Sequence, residues 1–503
     1  MDCKIKSGFD LQGVGFVLFN SYAFICVYLP IVFAGFFLTA RYVSHRAATL
    51  LLVVASFTFY GYWDIRYVPL LFTSILFNYF MGKNIGETSR KKLWLIIGLT
   101  GNIALLGYFK YTDFFIATIN DLSGNAFDLP NIILPLGISF FTFTQSAYLV
   151  DVYRNEAAKH DFLTYCEFVT IFPHLIAGPI ISHKEMLPQF TSEKTFHVNI
   201  ENVALGLTLF VMGLAKKVLI ADNLAPIVNK VFSMADNLTF FEAWIGALSY
   251  TFQLYFDFSG YSEMAIGLGL MFNLKFPVNF NSPYQAQSMI DFWRRWHMTL
   301  GQWVKDYLYV PMGGNRDGEF TKMRNLFVSM LLIGLWHGAG WTFILWGGLH
   351  GVFLMVNHCW RRLKINLPGV VNWGLTFMCV VVCWVFFRAN SVGDAVAVLS
   401  AMVNVHNIAL PDGGFYAKYL SFLSQYGVQF IKWTVTSSLL NTGALLVVLT
   451  VVLACFPNPQ LFISRMQLHP RRMTVLAGVL GMLFAIILHS MGYVESEFLY
   501  FQF

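Results

Sequence analysis

The sequence predicts an all-α multi-pass membrane protein, and three observations support that prediction. Of the 503 residues, 57% are hydrophobic and only 12% are charged, against roughly 25% charged residues in ordinary soluble domains. The mean hydropathy is +0.59. Apolar runs long enough to cross a bilayer, which takes about 17–25 residues, recur along the chain. A membrane bundle of this size can form one unit, so we predict a single integral-membrane domain over residues 1–503.

Twelve of these apolar runs are predicted to span the membrane. The run at 242–272 is long for one crossing, so a tilt, a kink or an extra turn is expected there. Shorter stretches at 161–181, 288–301 and 393–405 are predicted to be re-entrant or interfacial pieces. The twelve predicted spans lie near residues 21–40, 48–63, 67–82, 93–109, 131–150, 203–221, 242–272, 324–340, 341–360, 369–388, 436–456 and 474–491.

Basic and mixed loops fit an alternation that places all of them on the cytoplasmic side, with both termini outside. The segment at 389–435 is then an external connection with an amphipathic helix. The same bias accounts for the net charge of +6, so we expect contact with membrane lipid and no nucleic-acid partner. The seven cysteines are an odd number without a CxxC motif, which indicates free thiols. The predicted cytoplasmic loops are 41–46, 82–92, 151–160, 313–324, 361–366 and 464–472.

His337 is the first candidate for chemistry. It follows the apolar run from Asn325 to Trp336, which has 12 residues and therefore about 18 Å of helix. That length falls short of the ~30 Å hydrocarbon core, so we expect the imidazole near the bilayer interior. A neutral imidazole there is suited to act as a general base toward a hydroxyl. The alternative is a structural histidine that bonds a neighbouring carbonyl.

His297 is a second candidate, within the string DFWRRWHMTL. If this string is helical, Trp293 lies one turn before His297, and Asp291 can reach Arg294 or Arg295. The alternative is a histidine that meets lipid headgroups at the start of a helix. We interpret the rest of the chain as a scaffold that brings the two candidate histidines together. No HxxxH or HExxH spacing occurs, so no metal site is expected.

A basic cluster lies between the two histidines, on the predicted cytoplasmic side. It suits the phosphates of a nucleotide-bearing donor, and the alternative is ordinary positive-inside anchoring. The cluster consists of Arg294, Arg295, Lys305, Arg316, Lys322 and Arg324.

Two further features place polar or irregular groups within apolar runs. Asp257 and Glu263 are acids that could serve a proton pathway or pair with basic residues of other helices, and we favour pairing. The string FPHLIAGPI contains the helix breakers Pro173, Gly178 and Pro179. Broken backbone at membrane depth is tolerated only where it is buried in protein or lines a cavity, so this segment is predicted to line a channel.

Five strings concentrate in the middle of the chain: FPHLIAGPI (172–180), YFDFSGYSEMAIGLGLMF (255–272), FPVNFNSPY (276–284), DFWRRWHMTLGQWVKDYLYVPMGGNR (291–316) and LIGLWHGAGWTFILWGGLHG (332–351). Together they resemble the membrane-bound O-acyltransferase (MBOAT) family. The resemblance is closest to the bacterial branch that contains the membrane subunit of alginate O-acetylation. The terminal string FLYFQF also resembles that branch.

This resemblance implies a ring of about 11–12 transmembrane helices with re-entrant segments around a central funnel, and a catalytic core at about 165–360. The family's histidine in the LWHG context falls on His337, which would be catalytic, and its histidine in the WRRWH context falls on His297. Lys305 stands where this branch often has arginine. The lysine keeps the positive charge but cannot form the bidentate hydrogen bonds of a guanidinium group. Donor binding is expected from Trp293, Arg294, Arg295, Trp296, Lys305 and Arg316, and a channel lining from Pro173, Gly178, Pro179 and Trp336.

The resemblance also implies an activity, namely transfer of an acetyl group from a cytoplasmic thioester across the bacterial cytoplasmic (inner) membrane. The co-substrate would be acetyl-CoA or an acyl-carrier thioester, with no permanently bound cofactor. His337 would deprotonate the acceptor hydroxyl, and His297 would orient the donor or stabilise charge on the intermediate. An extracytoplasmic O-acetyltransferase or acceptor protein is the expected partner. The exported polysaccharide would be contacted directly or indirectly, and alginate, cellulose, peptidoglycan and a capsule all remain open.

Two other functions fit some of the residues. A glycan or lipid transporter or flippase subunit would use Asp257 and Glu263 as coupling residues, without acyl turnover. A structural subunit of an export complex would need neither histidine. The extent of the matching strings favours the acyltransferase.

Overall fold

The computed structural model describes most of the chain. The described residues are 18–124, 126–157, 160–176, 178–433, 435, 439–455, 458, 470–491 and 498–499. Parts of several predictions fall outside them. These parts are residues 158–159 and 464–469 of two predicted loops, residues 436–438 and 456 of one predicted span, residue 177 of the broken segment, residue 434 of the predicted external connection, Cys3 among the predicted free thiols, and residues 500–503 of the terminal string.

Helices make up most of the described structure, and short π-helical turns adjoin several of them. The π-helical turns are Phe24–Tyr28, Gly107–Tyr111, Lys216–Ala221 and Lys305–Tyr309. The α-helices are α1 Leu29–Tyr42, α2 His45–Trp63, α3 Val68–Glu87, α4 Lys91–Leu106, α5 Thr112–Ser123, α6 Ile138–Tyr153, α7 Phe162–Thr170, α8 Phe172–Leu175, α9 His183–Phe190, α10 Ile200–Ala215, α11 Asp222–Ser233, α12 Phe240–Met271, α13 Met289–Trp293, α14 Met298–Val304, α15 Gly318–His337, α16 Trp341–Arg362, α17 Gly369–Arg388, α18 Val392–Val403, α19 Gly414–Tyr419, α20 Leu439–Cys455 and α21 Pro470–Met491.

The length and composition of these helices confirm a multi-pass membrane protein. The predicted span at 131–150 is shorter than expected, because its helix begins only at Ile138, after Gly137 with a φ of +70°. The long run at 242–272 forms one continuous helix, α12, whose 32 residues extend for about 48 Å. Within the described residues, five helical segments are long and apolar enough to cross a membrane: Phe24–Tyr42, Lys91–Ser123, Ile200–Ser233, Trp341–Arg362 and Gly369–Arg388.

Helices α10 and α12 approach each other closely at facing glycines. A Cβ at Gly213 would lie 2.4 Å from the carbonyl oxygen of Gly260, and a Cβ at Gly206 would lie 2.5 Å from that of Gly267. Larger residues would therefore separate the two backbones, as small residues at regular spacing allow close packing in membrane bundles. This contact sets the position of the charged residues that follow α10.

Asp257 and Glu263, within α12, are paired with lysines, which confirms the interpretation from the sequence. The Nζ of Lys217 lies 2.7 Å from an oxygen of Asp257 and 2.8 Å from one of Asp222. Lys216 pairs with Glu263 in the same way. Buried charges are tolerated when they are paired and hydrogen-bonded, so these contacts stabilise the scaffold.

The connection at 389–435, predicted to be external, contains an element that the sequence did not predict. After the expected helix, α18, two short parallel strands pair, β1 Ala409–Pro411 with β2 Gln429–Ile431. The backbone N–H of Phe240, at the start of α12, donates to the carbonyl of Asn407. The connection is thereby attached to the end of the longest helix.

Candidate active site

His337 is the last residue of α15, and aromatic rings surround it. A Cβ at Gly334 would lie only 2.3 Å from a carbonyl oxygen of α16, so the two helices meet closely one turn before the histidine. The imidazole is buried, and its centroid lies 4.8 Å from the ring of Trp336, 5.0 Å from Trp346 and 5.3 Å from Phe387. Helices α15, α16 and α17 together fix the orientation of the ring.

The backbone around His297 turns where the sequence suggested a continuous helix. Helix α13 ends at Trp293, α14 begins at Met298, and His297 has a φ of +43°. The expectation that Trp293 lies one helical turn before His297 is therefore wrong. The expected ion pair does form, since Arg295 Nε donates to Asp291 Oδ1 at 2.9 Å. A left-handed backbone is uncommon for histidine and persists only where surrounding contacts impose it.

Asn279 supplies the main polar contact that holds His297. Its Oδ1 accepts hydrogen bonds from Thr299 Oγ1 at 2.9 Å and from the Thr299 backbone N–H at 3.4 Å, and it lies 3.0 Å from His297 Nδ1. A backbone N–H can only donate, so the Asn279 atom is an oxygen and His297 Nδ1 carries a hydrogen. The Nε2 of the neutral ring then carries the lone pair. Asn279 was not singled out from the sequence, although it is an amide within an apolar, aromatic string.

The predicted channel segment packs against the same loop. Pro173, Gly178 and Pro179 are all buried, and the helix breaks between α7 and α8. The backbone N–H of Ile180 donates to Thr299 Oγ1 at 3.1 Å. The broken segment is thus enclosed by protein beside the His297 loop, as irregular backbone at membrane depth requires. A channel lining stays a prediction.

The ring of Trp336 contacts both histidines. Its ring centroid is 4.8 Å from that of His337 and 6.4 Å from that of His297. The ring of Phe258 makes an edge contact with His297 at 4.8 Å. The structure therefore brings together two histidines that are 40 residues apart in the sequence, with one indole in contact with both.

Lys110, in the π-helical turn Gly107–Tyr111, contacts the end of α15, and it was not predicted from the sequence. Its Nζ donates to the carbonyls of Trp336 and of His337, the latter at 3.3 Å, and to Ser139 Oγ at 3.3 Å. The neighbouring Tyr111 hydroxyl donates to the carbonyl of Leu335 at 2.9 Å. These bonds cap the end of α15. A lysine near the end of an apolar run was the available signal, because charges at membrane depth are rarely without a role.

The six predicted donor-binding residues divide into two groups. Trp296 is 2% exposed and packs in an aromatic cluster, while Trp293 donates through Nε1 to His350 Nδ1 at 3.2 Å. Arg295 is occupied by its pair with Asp291. The remaining three cations are exposed, and donor binding by them stays a prediction: Arg294, Lys305 and Arg316.

No group of three or more histidine, cysteine, aspartate or glutamate side chains within the described ranges is arranged to hold a metal ion. The polar groups around the two histidines are instead an asparagine, a threonine, a lysine and an indole. These groups can orient a substrate and exchange protons or hydrogen bonds with it.

The fold and site thus define a multi-pass membrane protein with two buried histidines beside a broken helical segment. The family model for the membrane-bound O-acyltransferase family, MBOAT, matches residues 57–388. The chain is 42% identical to a peptidoglycan O-acetyltransferase of Helicobacter pylori, over 97% of this chain and 98% of that protein. It is 44% identical to a protein of Pseudomonas aeruginosa named "Probable alginate O-acetylase AlgI", over 77% and 75% of the two chains.

A more distant relative is the teichoic acid D-alanyltransferase of Streptococcus thermophilus. The identity is 27%, over 46% of this chain and 58% of that protein. The family match covers more than half of the chain, and the relatives with higher identity cover most of it. The protein belongs to the membrane-bound O-acyltransferase family and is an O-acyltransferase.

Proposed function

We propose that the protein transfers an acetyl group across the bacterial cytoplasmic (inner) membrane for O-acetylation of an exported polysaccharide. The donor is a cytoplasmic thioester, either acetyl-CoA or an acyl-carrier thioester. The observation that supports this most directly is the pair of buried histidines whose rings both contact Trp336. The names of the relatives support acetyl over D-alanyl transfer, because the two O-acetylation relatives are 42% and 44% identical and the D-alanyl relative 27%.

His337 is the proposed general base. Its neutral imidazole takes the proton of the acceptor hydroxyl while the hydroxyl oxygen attacks the thioester carbonyl. The tetrahedral intermediate then collapses, the carbon–sulfur bond breaks, and the imidazolium returns the proton to the leaving thiolate. The products are an acetyl ester and a free thiol, so no further reactant is needed. Burial among aromatic rings keeps water from competing with the acceptor.

His297 is the proposed orienting residue for the donor. With the hydrogen on Nδ1, directed at Asn279, the Nε2 of the neutral ring carries the lone pair and is the ring atom suited to accept a hydrogen bond from the donor. The pantetheine arm of either donor offers amide N–H groups of the right kind. The exposed cations Arg294, Lys305 and Arg316 suit the phosphates of such a donor on the cytoplasmic side.

The acceptor on the opposite side is proposed to be an extracytoplasmic O-acetyltransferase or acceptor protein that completes the modification. The names of the two relatives with higher identity point to peptidoglycan or alginate as the class of polysaccharide. Both polymers carry the sugar hydroxyls that an acetyl group can esterify.

The test is thioester turnover by the purified protein in nanodiscs, with acetyl-CoA and a soluble sugar acceptor. Wild type is compared with His337→Ala, His297→Ala and the control His358→Ala, which changes a partly exposed histidine near the end of α16. We expect turnover to vanish in the His337 variant, to fall with a raised KM in the His297 variant, and to persist in the control. Substrate movement without turnover, sensitive at Asp257 and Glu263, would instead support the transporter hypothesis.

A further inference from the structure

Two tryptophans stack on the same phenylalanine but differ in their hydrogen bonds. The ring of Phe143 lies 4.0 Å from that of Trp303 and 5.1 Å from that of Trp336. The Nε1 of Trp303 donates to the carbonyl of Phe143 at 3.3 Å. The Nε1 of Trp336 is buried and meets no acceptor among the residues that the structure describes. A buried donor without an acceptor is costly, so its retention calls for an explanation.

The surroundings of Trp336 hold its ring rigidly. The ring of Phe140 makes an edge contact with the indole at 5.6 Å, whereas the ring of Phe143 stacks on it. Lys110 binds the Trp336 carbonyl, and its Nζ lies 5.9 Å from the centre of the indole. The side chain is therefore fixed from several directions, as preorganised catalytic donors are.

His297 and Lys110 have acceptors of their own. Trp346, whose ring lies 5.0 Å from that of His337, also has a buried Nε1 without an acceptor among the described residues, so the choice of Trp336 rests on its ring contacts with both histidines. The Nδ1 hydrogen of His297 is directed at Asn279 Oδ1. Lys110 Nζ has three acceptors, which match the three N–H groups of an ammonium. The base His337 must present a lone pair to the acceptor hydroxyl. An indole N–H can only donate, so Trp336, whose ring contacts both histidines, is suited to stabilise negative charge on oxygen.

We propose that Trp336 is a catalytic residue, whose indole N–H donates a hydrogen bond to the thioester carbonyl oxygen as it becomes an oxyanion. The inference rests on the proposed acyl transfer and assigns one component of it. The bond is weak to the neutral carbonyl and strong to the charged oxygen, so it lowers the barrier without tightening donor binding. No covalent bond to Trp336 forms or breaks.

The test removes the N–H and keeps the ring. Trp336→Phe and a second variant with benzothienylalanine at position 336, which replaces the N–H by sulfur at nearly the same shape, are assayed with acetyl-CoA. We expect kcat to fall about 100-fold in both, the usual effect of one lost oxyanion donor, with KM for acetyl-CoA unchanged within about threefold. Trp303→Phe, which alters the matched indole, is expected to retain kcat within about threefold.

The outcomes separate this inference from the proposed function. Loss of kcat in either folded Trp336 variant, with turnover in wild type and none in His337→Ala, supports the inference. The benzothienylalanine variant decides the question where the phenylalanine variant fails to fold. If a folded Trp336 variant that lacks the N–H keeps the wild-type kcat while His337→Ala is inactive, this inference is overturned and the proposed function stands. Equal turnover in wild type and His337→Ala overturns the proposed function, and this inference with it.

Discussion

Two buried lysines of the helix bundle, Lys217 and Lys110, have different kinds of hydrogen-bond partners. Lys217 is surrounded by carboxylates, with Asp257 at 2.7 Å and Asp222 at 2.8 Å. Lys110 bonds to two carbonyls and a hydroxyl, and none of the ion pairs among the described residues includes it. The first arrangement joins helices of the scaffold. The second places a cation at the end of the helix that carries the candidate base.

The difference teaches how charge is used within a membrane bundle. The two carboxylates more than offset the charge of Lys217, because one cation faces two acids. The carbonyls of α15 carry only the partial negative charge of a helix C-terminus, about half a unit. Lys110 therefore provides a hydrogen-bond donor for the last carbonyl groups of α15 and fixes the backbone of Trp336 and His337. It does so without a carboxylate partner, which could itself accept the proton of the acceptor hydroxyl.

Breaking the scaffold cluster is expected to have the largest effect on stability. Lys217→Met leaves two buried carboxylates without their cation, and loss of one partner from a buried pair costs about 3–5 kcal/mol. We expect a strong fall in the amount of folded protein and in its thermal midpoint, measured by size-exclusion chromatography after heating. A variant with an unchanged midpoint would contradict the structural role of the cluster.

Lys110→Met is expected to have a smaller effect on stability and a large effect on rate. The capping cation of a partly buried helix end contributes up to about 2 kcal/mol, so the variant should fold. Turnover should fall at least about 10-fold, because Trp336 and His337 lose the bonds to their carbonyls. The control is Tyr111→Phe, which removes only the neutral bond to Leu335. Equal activity of the two variants would show that the charge at Lys110 is unimportant.

Asn279→Ala tests the contact that fixes His297. The variant removes the acceptor for Thr299 and for His297 Nδ1, so the ring is free to change its tautomer. We expect KM for acetyl-CoA to rise about 10-fold, as a moderate loss of orientation would produce, with kcat less affected. An unchanged KM in the folded variant would argue that His297 does not orient the donor.

The smallest effect is expected at the surface cations. Arg295 forms an i,i+4 pair with Asp291 that is partly exposed, and such pairs contribute about 0.3–0.5 kcal/mol. Arg295→Gln should therefore leave stability nearly unchanged. Because Arg295 is already occupied, its loss should raise KM for acetyl-CoA less than Arg316→Gln does. A larger rise in KM for Arg295→Gln than for Arg316→Gln would instead indicate that the donor phosphates bind at Arg295.

The sequence predicted features that depend on local pattern. Apolar runs predicted most of the helices. Asp257 and Glu263 were correctly expected to pair with basic residues. The scaffold was also expected to bring His297 and His337 together, which the contacts of Trp336 confirm.

The features that were missed depend on contacts between distant residues. Lys110 bonds to residues more than 220 positions away, and Asn279 to residues 18 and 20 positions away. The break at residues 294–297 follows from the contacts of His297, since nothing in the string DFWRRWHMTL requires it. The pairing of β1 with β2 likewise joins segments separated by about 20 residues, which a strand pattern of three residues does not reveal.

The most direct test of the account is the passage of an acetyl group through the protein from one face to the other. Proteoliposomes would carry the protein with its 313–324 loop outward, radiolabelled acetyl-CoA outside, and polysaccharide with its partner transferase inside. The account predicts label on the enclosed polysaccharide with wild type and none with His337→Ala. Equal labelling by the two proteins, or label that never enters the lumen, would contradict it.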